Sequence, residues 1–527
     1  MNVRMLAAAT ATVAGAVMPS SAQTVSSHLP AARFADPDHA AKLAAVFPKI
    51  DSVFRAMTIR DHVPGAAWGI VVDGKLVHMG VTGLRDIASK APVDTNSVFR
   101  IASMTKSFTA VSILKLRDEG KLSLDDPVEK YVPELRGLVY PTDDSPKLTI
   151  RLLLSHAEGF PEDNPWGDQQ LPRTDAELSQ MLRRGIPFST APGTNYEYSN
   201  YGFAILGRVV ARVSGMPYNA FVAKHILAPL GMSSTTLESS KVAKEKFTQG
   251  YRWEDDTWKI EPQLPDGSFG SMGGMLTSIH DLGTYVATFL AAWPPRDGAE
   301  APPLKRSSLR EMQQVWRPAP PSVTRSASGA TVLYSGGYGY GLRISSDCDF
   351  AQIVLHSGGL PGFGSQMRWL PEYGVGIIAF GNRTYTGWSP SMVEAFTILA
   401  ATGALQPREA VPAPALVQAR DRVSRLILRW NDALADSIAA QNLFLDRSRD
   451  RRKADVERLV ARAGPCRQAE TFSYVENGLR GQWVMPCAHG GLLASVTLAP
   501  TMPPTVQFLT VEDAPATPPR RPKLCSP

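Results

Sequence analysis

What most restricts the fold of this 527-residue chain is where its strand-like runs fall. Ala66 to Val72 and Leu76 to Val81 are apolar on either side of Asp73-Gly74, a dipeptide that favours a tight hairpin turn. Far downstream, Gln352 to Leu355, Gln366 to Leu370 and Gly374 to Gly381 read as three more strands. The stretch between is helical in pattern, and the spacing of Phe108, Ala110, Val111, Ile113, Leu114 and Leu116 predicts a mostly buried helix over 106–116. Early and late strands bracketing a helix-rich middle predict one antiparallel sheet assembled from both ends of a domain. This is an α+β architecture, an α/β sandwich with a helical subdomain.

Composition marks the ends of that domain. Met1 to Arg4 form a short positive start, Met5 to Met18 are mostly Ala, Val and Met, and Ser20-Ser21-Ala22 offers the small residues a signal peptidase reads. Residues 1–22 are therefore read as a signal peptide, which places the mature chain in the periplasm or outside the cell. An apolar run of about 14 residues is shorter than the ~20 a bilayer span needs, and no later stretch reaches that length without charge or Pro, so no transmembrane span is expected. Residues 23–406 read as the main domain, with Pro294 to Pro321 as a Pro-rich insertion between folded pieces. Pro407 to Pro414 reads as a linker.

Residues 415–513 read as a small α+β domain of their own. Val423, Leu426, Ile427, Trp430, Leu434 and Ile438 share one helical face, and a second helix, Ala454 to Ala463, ends at Gly464-Pro465. Three or four strands follow, with Asn477-Gly478 as a hairpin turn. Residues 514–527, with Pro518-Pro519-Arg520-Arg521-Pro522, read as a disordered tail.

Charge and cysteine content exclude several functions. The net charge of +6 is weak for this length and argues against nucleic acid as a partner. From Pro407 onward there are 17 Lys/Arg against 12 Asp/Glu, so the basic excess belongs to the C-terminal part. Cys348, Cys466, Cys487 and Cys525 follow no metal-ligand spacing, and in an oxidising compartment they favour disulfides. Three connectivities are open, of which Cys466 with Cys487 is preferred. Nine histidines include no His-Glu-x-x-His, and no Gly-x-Ser-x-Gly or phosphate-cradling glycine loop is present in a suitable context. No metal and no cofactor are expected, and nothing in the sequence indicates an oligomeric state.

Three short elements carry chemistry. In Arg100-Ile101-Ala102-Ser103-Met104-Thr105-Lys106, a helix beginning near Ser103 puts Lys106 one turn on, facing the same way. A serine is a poor nucleophile until a base takes its proton, and a desolvated amine can do so. Tyr198 and Asn200 lie two residues apart on a short loop ahead of an apolar helix, Phe203 to Val213. A phenol held near an ammonium ion is drawn toward its anion and can exchange protons, and the amide beside it can orient a substrate carbonyl. His356-Ser357-Gly358-Gly359 comes directly after a strand, where small residues admit a substrate backbone and Gly359 N–H can serve an oxyanion. Taken singly, each element also has an ordinary structural explanation: a capping serine, an aromatic core residue, a structural histidine.

Together and in this order they resemble the serine β-lactamase and penicillin-binding-protein superfamily, in the branch of class C β-lactamases, related esterases and D-stereospecific peptidases. Phe99-Arg100-Ile101-Ala102-Ser103, Leu148 to His156, Pro229-Leu230-Gly231-Met232 and Gly273 to Ser278 followed by Asp281-Leu282 look like further landmarks of that family. The resemblance runs from about Ile59 to Thr384 and implies a β-lactamase/transpeptidase-like fold. It implies Ser103 as acylated nucleophile, Lys106 as its partner in proton transfer and Tyr198 as general base or acid. Asn200, His356, Ser357, Gly358 and Gly359 would bind substrate, with the backbone N–H groups of Ser103 and Gly359 as oxyanion hole. Which of Lys106 and Tyr198 takes the first proton is open.

The departures shape the expected substrate. His356 stands where the family more often has lysine, which removes a permanent cation and weakens the hold on a carboxylate-bearing substrate such as a penicillin. His156-Ala157-Glu158-Gly159 departs from the commoner His-Thr-Ser-Gly and reads as a structural loop with Glu158 as an unexplained acid. The expected function is an exported serine hydrolase acting on a small-molecule or peptide substrate: an ester, a D-amino-acid peptide or a β-lactam. The alternatives are a cell-wall transpeptidase or carboxypeptidase, and a non-catalytic binding or scaffold protein on the same fold.

Overall fold

The computed structural model describes residues 32–325, 331–516 and 525. The expected signal peptide lies outside them. The main elements are helix α1 (Phe47–Arg60), strands β1 (Gly65–Val72), β2 (Lys75–Asp86) and β3 (Ala91–Pro92), and helices α2 (Thr105–Asp118), α3 (Asn200–Ser214) and α4 (Ile279–Ala291). Strands β4 (Arg317–Arg325), β5 (Thr331–Tyr338), β6 (Arg343–Ser346), β7 (Ile353–Leu360), β8 (Phe363–Leu370) and β9 (Val375–Gly381) follow, then helix α5 (Ser389–Ala401).

These nine strands form one sheet in the order β3-β2-β1-β9-β8-β7-β6-β5-β4, and neighbouring strands are antiparallel. The early hairpin and the late strands meet where β1 pairs with β9, from Ala66 opposite Gly381 to Val72 opposite Val375. The β1–β2 turn is tight because Asp73 and Gly74 both take left-handed conformations, φ 51 and 76.

β1 and β9 are continuously apolar because both faces of the sheet are covered there. Along β1 the side chains alternate: Ala66, Trp68, Ile70 and Val72 join a layer with Phe54 of α1 and Met392 and Phe396 of α5. Ala67 and Val71 face the other way, into the layer that holds Ile279, Leu282 and Val286 of α4 and the helical middle of the chain. Each such buried aliphatic or aromatic side chain contributes roughly 1.5–3 kcal/mol. Trp68 also donates from Nε1 to Asp51 Oδ1 at 2.8 Å, so its buried N–H keeps a partner.

The Pro-rich stretch from Pro294 to Pro321 is not an insertion between folded pieces. It contains a helix, Arg306–Met312, and the start of β4, an outer strand of the main sheet. Prolines 318, 320 and 321 are tolerated there because an edge strand leaves one row of backbone groups unpaired.

The C-terminal part has its own core. Helices α6 (Pro414–Leu428), α7 (Asp432–Ile438) and α8 (Arg449–Ala463) accompany a four-stranded antiparallel sheet of β10 (Tyr474–Asn477), β11 (Arg480–Cys487), β12 (Gly490–Leu498) and β13 (Val506–Asp513). Leu416, Val423, Leu426, Trp483, Met485 and Leu492 pack together. The single helical face expected from Val423 to Ile438 is broken, because Asn431 caps a new helix by accepting from Leu434 N at 2.8 Å. Disulfides join Cys466 to Cys487 and Cys348 to Cys525. Most of the tail expected to be disordered lies outside the described residues, but Cys525 is tethered to the β6–β7 turn. Among the described residues no helix is long and apolar enough to cross a membrane.

Candidate active site

Ser103 sits on a 3-10 turn, Ala102–Met104, and the α-helix proper begins at Thr105. The turn is sharp because Ala102 takes φ 48, a left-handed conformation that costs a non-glycine residue about 1–3 kcal/mol. Its surroundings hold it in place. Thr105 Oγ1 donates to Ala102 O at 2.6 Å and Ser365 Oγ donates to Ile101 O at 2.8 Å. Gly358 is needed here for the protein's own chain, since a Cβ at that position would overlap the Ile101 carbonyl oxygen.

Lys106, one turn on, is wholly buried. Its Nζ lies 3.1 Å from Ser103 Oγ, 2.6 Å from Asn200 Oδ1 and 2.8 Å from Met272 O. It also lies 4.8 Å from the centroid of the Tyr198 ring. Burial pushes the Lys106 amine down to about 7, against the pull of Asp163 and Asp168. Tyr198 moves the other way: burial pushes its phenol well above the usual range, with the Ser103 hydroxyl opposing. The expected draw of a nearby ammonium on this phenol is therefore opposed by burial, and the cation that lowers it here is Arg343.

Asn200 is the first residue of α3 and not a loop residue. Ser199 caps that helix by accepting from Gly202 N at 3.1 Å, and Asp163 accepts from Asn200 N and Tyr201 N at 2.7 and 2.8 Å. The Asn200 side chain is buried and engaged at both ends, accepting from Lys106 and donating from Nδ2 to Asn164 Oδ1 at 2.7 Å. Its place is beside Lys106, where its oxygen holds the amine.

The His356-Ser357-Gly358-Gly359 segment lies inside β7 and does not follow it. Pairing between β6 and β7 runs only from Ile353 to Leu355, so β6 does not cover the edge of residues 356–360. Ser357 is exposed and Gly359 half-buried on that stretch. His356 is different: it is buried, and both ring nitrogens are used. Nδ1 lies 2.6 Å from the Ser357 carbonyl oxygen and must donate to it, so Nε2 accepts from the Tyr338 hydroxyl at 2.8 Å. Burial, then the charges of Lys106 and Arg343, pushes the ring down to about 3. The expected partly charged substrate contact is thus replaced by a neutral, internally satisfied imidazole.

A cation that sequence patterning missed stands nearby. Arg343, on β6 opposite Leu355, is exposed, and its guanidinium carbon lies 5.8 Å from the ring centroids of both Tyr196 and Tyr198. Among the described residues it makes no ion pair. Nothing local in the sequence marks it, because only the β6–β7 pairing brings it to the site.

His156 and Glu158 lie behind Tyr198. The His156 ring centroid is 4.4 Å from that of Tyr198, and its Nδ1 accepts from Ser199 N at 3.1 Å. Glu158 is fully buried with no hydrogen-bond partner for either oxygen among the described residues, and burial pushes its carboxyl well above the usual range. Gly202 makes room for it, since a Cβ there would overlap Glu158 Oε1.

A long antiparallel sheet backed by helices, with Ser-x-x-Lys, Tyr-x-Asn and His-Ser-Gly converging from three elements, defines the serine β-lactamase and penicillin-binding-protein class. The family model described as Beta-lactamase matches residues 50–402, and the chain belongs to that family. It is similar to Protein flp of Staphylococcus aureus (strain MW2), at 28% identity over 349 residues, 66% of this chain and 65% of that protein. It is also similar to Penicillin-binding protein 4* of Bacillus subtilis (strain 168), at 26% identity over 59% of this chain and 66% of that protein. The chain therefore spans about two thirds or less of the length of these relatives. Among solved structures, the octameric penicillin-binding protein homologue from Pyrococcus abyssi shares the fold with a TM-score of 0.56 at 21% identity, covering 88% of this chain and 89% of that one. A class C β-lactamase from Rhodobacter sphaeroides gives 0.52 at 21% identity, covering 67% and 98%.

Proposed function

We propose that this protein is an exported serine hydrolase that forms an acyl-enzyme on Ser103 and releases it to water. The observation that carries this reading is the set of acceptors around Lys106. A neutral amine has two N–H donors and one lone pair. Asn200 Oδ1 and Met272 O take the two donors, so the lone pair is left facing the Ser103 hydroxyl at 3.1 Å. An amine whose pKa is near 7 is neutral in a substantial fraction of molecules at neutral pH. Lys106 is thereby the first base, and Tyr198, neutral and beside Ser103, passes the proton on to the leaving group.

The carbonyl oxygen of the substrate would lie between the backbone N–H groups of Ser103 and Gly359, where developing charge is stabilised. Arg343 and the exposed Ser357 favour a substrate bearing a carboxylate near the scissile bond, as a D-amino-acid peptide does. Two disulfides suit the oxidising compartment that export implies.

The test treats purified protein with a fluorophosphonate, a fluorescent penicillin, a short-chain nitrophenyl ester and a D-amino-acid peptide panel, with intact mass recorded beside Ser103→Ala. A Ser103-dependent adduct or turnover is expected. Its absence with every probe removes the hydrolase reading and leaves a binding role on the same fold.

A further inference from the structure

Tyr385 stands beside Gly359, at the far end of the uncovered stretch of β7. Its ring lies so close that a Cβ on Gly359 would come within 2.6 Å of Tyr385 Cδ1. The glycine is required by this aromatic face, independently of any substrate. Tyr385 itself takes a left-handed backbone, φ 51, a conformation that persists only when the surroundings hold it. They do so here: Tyr385 N donates to Phe363 O at 3.1 Å, and the adjacent Thr384 Oγ1 accepts from Gly362 N at 2.8 Å and donates to Glu261 Oε1 at 2.9 Å.

The phenol then reaches the opposite wall. Tyr385 Oη donates to Asp168 Oδ2 at 2.7 Å. Asp168 is buried on the turn Trp166–Gln170, whose Gly167 packs so closely on Asn200 that a Cβ there would lie 2.6 Å from Asn200 Nδ2. One hydrogen bond thus joins the wall that carries Gly359 to the wall that carries Asn200. Tyr385 nonetheless stays 46% exposed as a residue.

We propose that Tyr385, braced by Asp168, is a specificity-determining residue that limits the acyl group Ser103 accepts to short or compact chains. This rests on acylation at Ser103 as read above. An acyl carbonyl seated between Ser103 and Gly359 sends its chain toward the space the Tyr385 ring fills, so a longer chain must displace the ring or break its bond to Asp168.

The experiment measures kcat/KM for nitrophenyl esters from acetate to octanoate with the wild type, Tyr385→Ala and Tyr385→Phe. A fluorophosphonate titrates reactive Ser103 in each, and thermal unfolding reports folding. Tyr385→Ala is expected to raise the octanoate-to-acetate ratio at least about tenfold, within what a few methylenes contribute in an apolar site. Tyr385→Phe, which keeps the ring and loses the bridge, is expected to raise it less. If Tyr385→Ala does not fold, Tyr385→Leu, too short to reach Asp168, makes the same comparison. An unchanged ratio in a fully labelled, folded variant overturns the proposal and leaves the hydrolase reading standing. A wild type that takes no label and turns over no ester overturns both.

Discussion

Asn200 Oδ1 lies 2.6 Å from Lys106 Nζ, closer than the 3.1 Å that separates the same nitrogen from Ser103 Oγ. The amine is anchored by the helix start of α3 and by Met272, and the serine is the loosest of its three neighbours. An anchored amine keeps its lone pair on one line, which is what a base serving a single hydroxyl requires.

The rate of acylation should therefore follow the neutral form of Lys106. With its pKa lowered to about 7, the amine is protonated and inactive below that pH and free above it, so the rate rises from pH 6 to pH 8. Lys106→Met should lose about 10²–10⁴ in that rate and the limb with it. Rapid-mixing acylation kinetics across pH check this, and a flat profile would assign the first proton transfer elsewhere.

The same shift has a cost in stability. Burial lowers the folded-state pKa of Lys106 below its ordinary 10.5, so between about 7 and 10.5 the unfolded chain binds the extra proton. Stability therefore rises with pH across that window, and the penalty for burying the group is fully present below it. Lys106→Met removes this penalty but leaves Asn200 Oδ1 and Met272 O without their buried donor, so its net gain in stability, whatever its sign, should be larger at pH 6 than at pH 10. Urea unfolding at the two pH values measures the difference, and equal gains at both would contradict the linkage.

His356 offers a cleaner test of protonation. Its Nδ1 donates to Ser357 O and its Nε2 accepts from Tyr338, so a second ring proton has no place to go without breaking the Tyr338 bond. Its ring resonances should not titrate between pH 5 and pH 8. Tyr338→Phe leaves Nε2 a buried acceptor without a donor and should cost about 1–3 kcal/mol. Titration near 6.5 in the wild type, read by NMR, would place a cation in the site after all.

What the sequence made legible follows from how local each signal is. β1 and β9 are continuous apolar runs because helices cover both faces, and Asp73-Gly74 supplies the turn between β1 and β2; both signals sit in adjacent residues. β4 was hidden by prolines that only an edge position excuses, and the break at Asn431 by an apolar face that continues across it. Ser103, Lys106, Tyr198 and Asn200 were legible as spaced motifs. The neutrality of His356 depends on Tyr338, and the bracing of Tyr385 on Asp168, 217 residues away. Neither pair has any spacing to read, because tertiary folding brings each together: strand order for Tyr338 and His356, and the meeting of two turns for Tyr385 and Asp168.

Arg343 belongs to that second group, and its consequence is separable from the chemistry. The lysine that His356 replaces would have supplied a cation on β7; here the exposed cation is on β6, one strand over and beside Tyr196 and Tyr198. A charged hydrogen bond to a carboxylate contributes about 1.5–3 kcal/mol, which is roughly 10- to 100-fold in affinity. Arg343→Gln should therefore raise KM for a D-peptide with a free carboxylate at least about tenfold. For a neutral nitrophenyl ester KM should change little, because nothing in that substrate pairs with the guanidinium. Steady-state kinetics on the two substrates, with fluorophosphonate labelling of Ser103 to count active sites, decides the matter: equal loss on both would make Arg343 a support for the tyrosine pair, and loss confined to the acid would make it the reader of substrate charge.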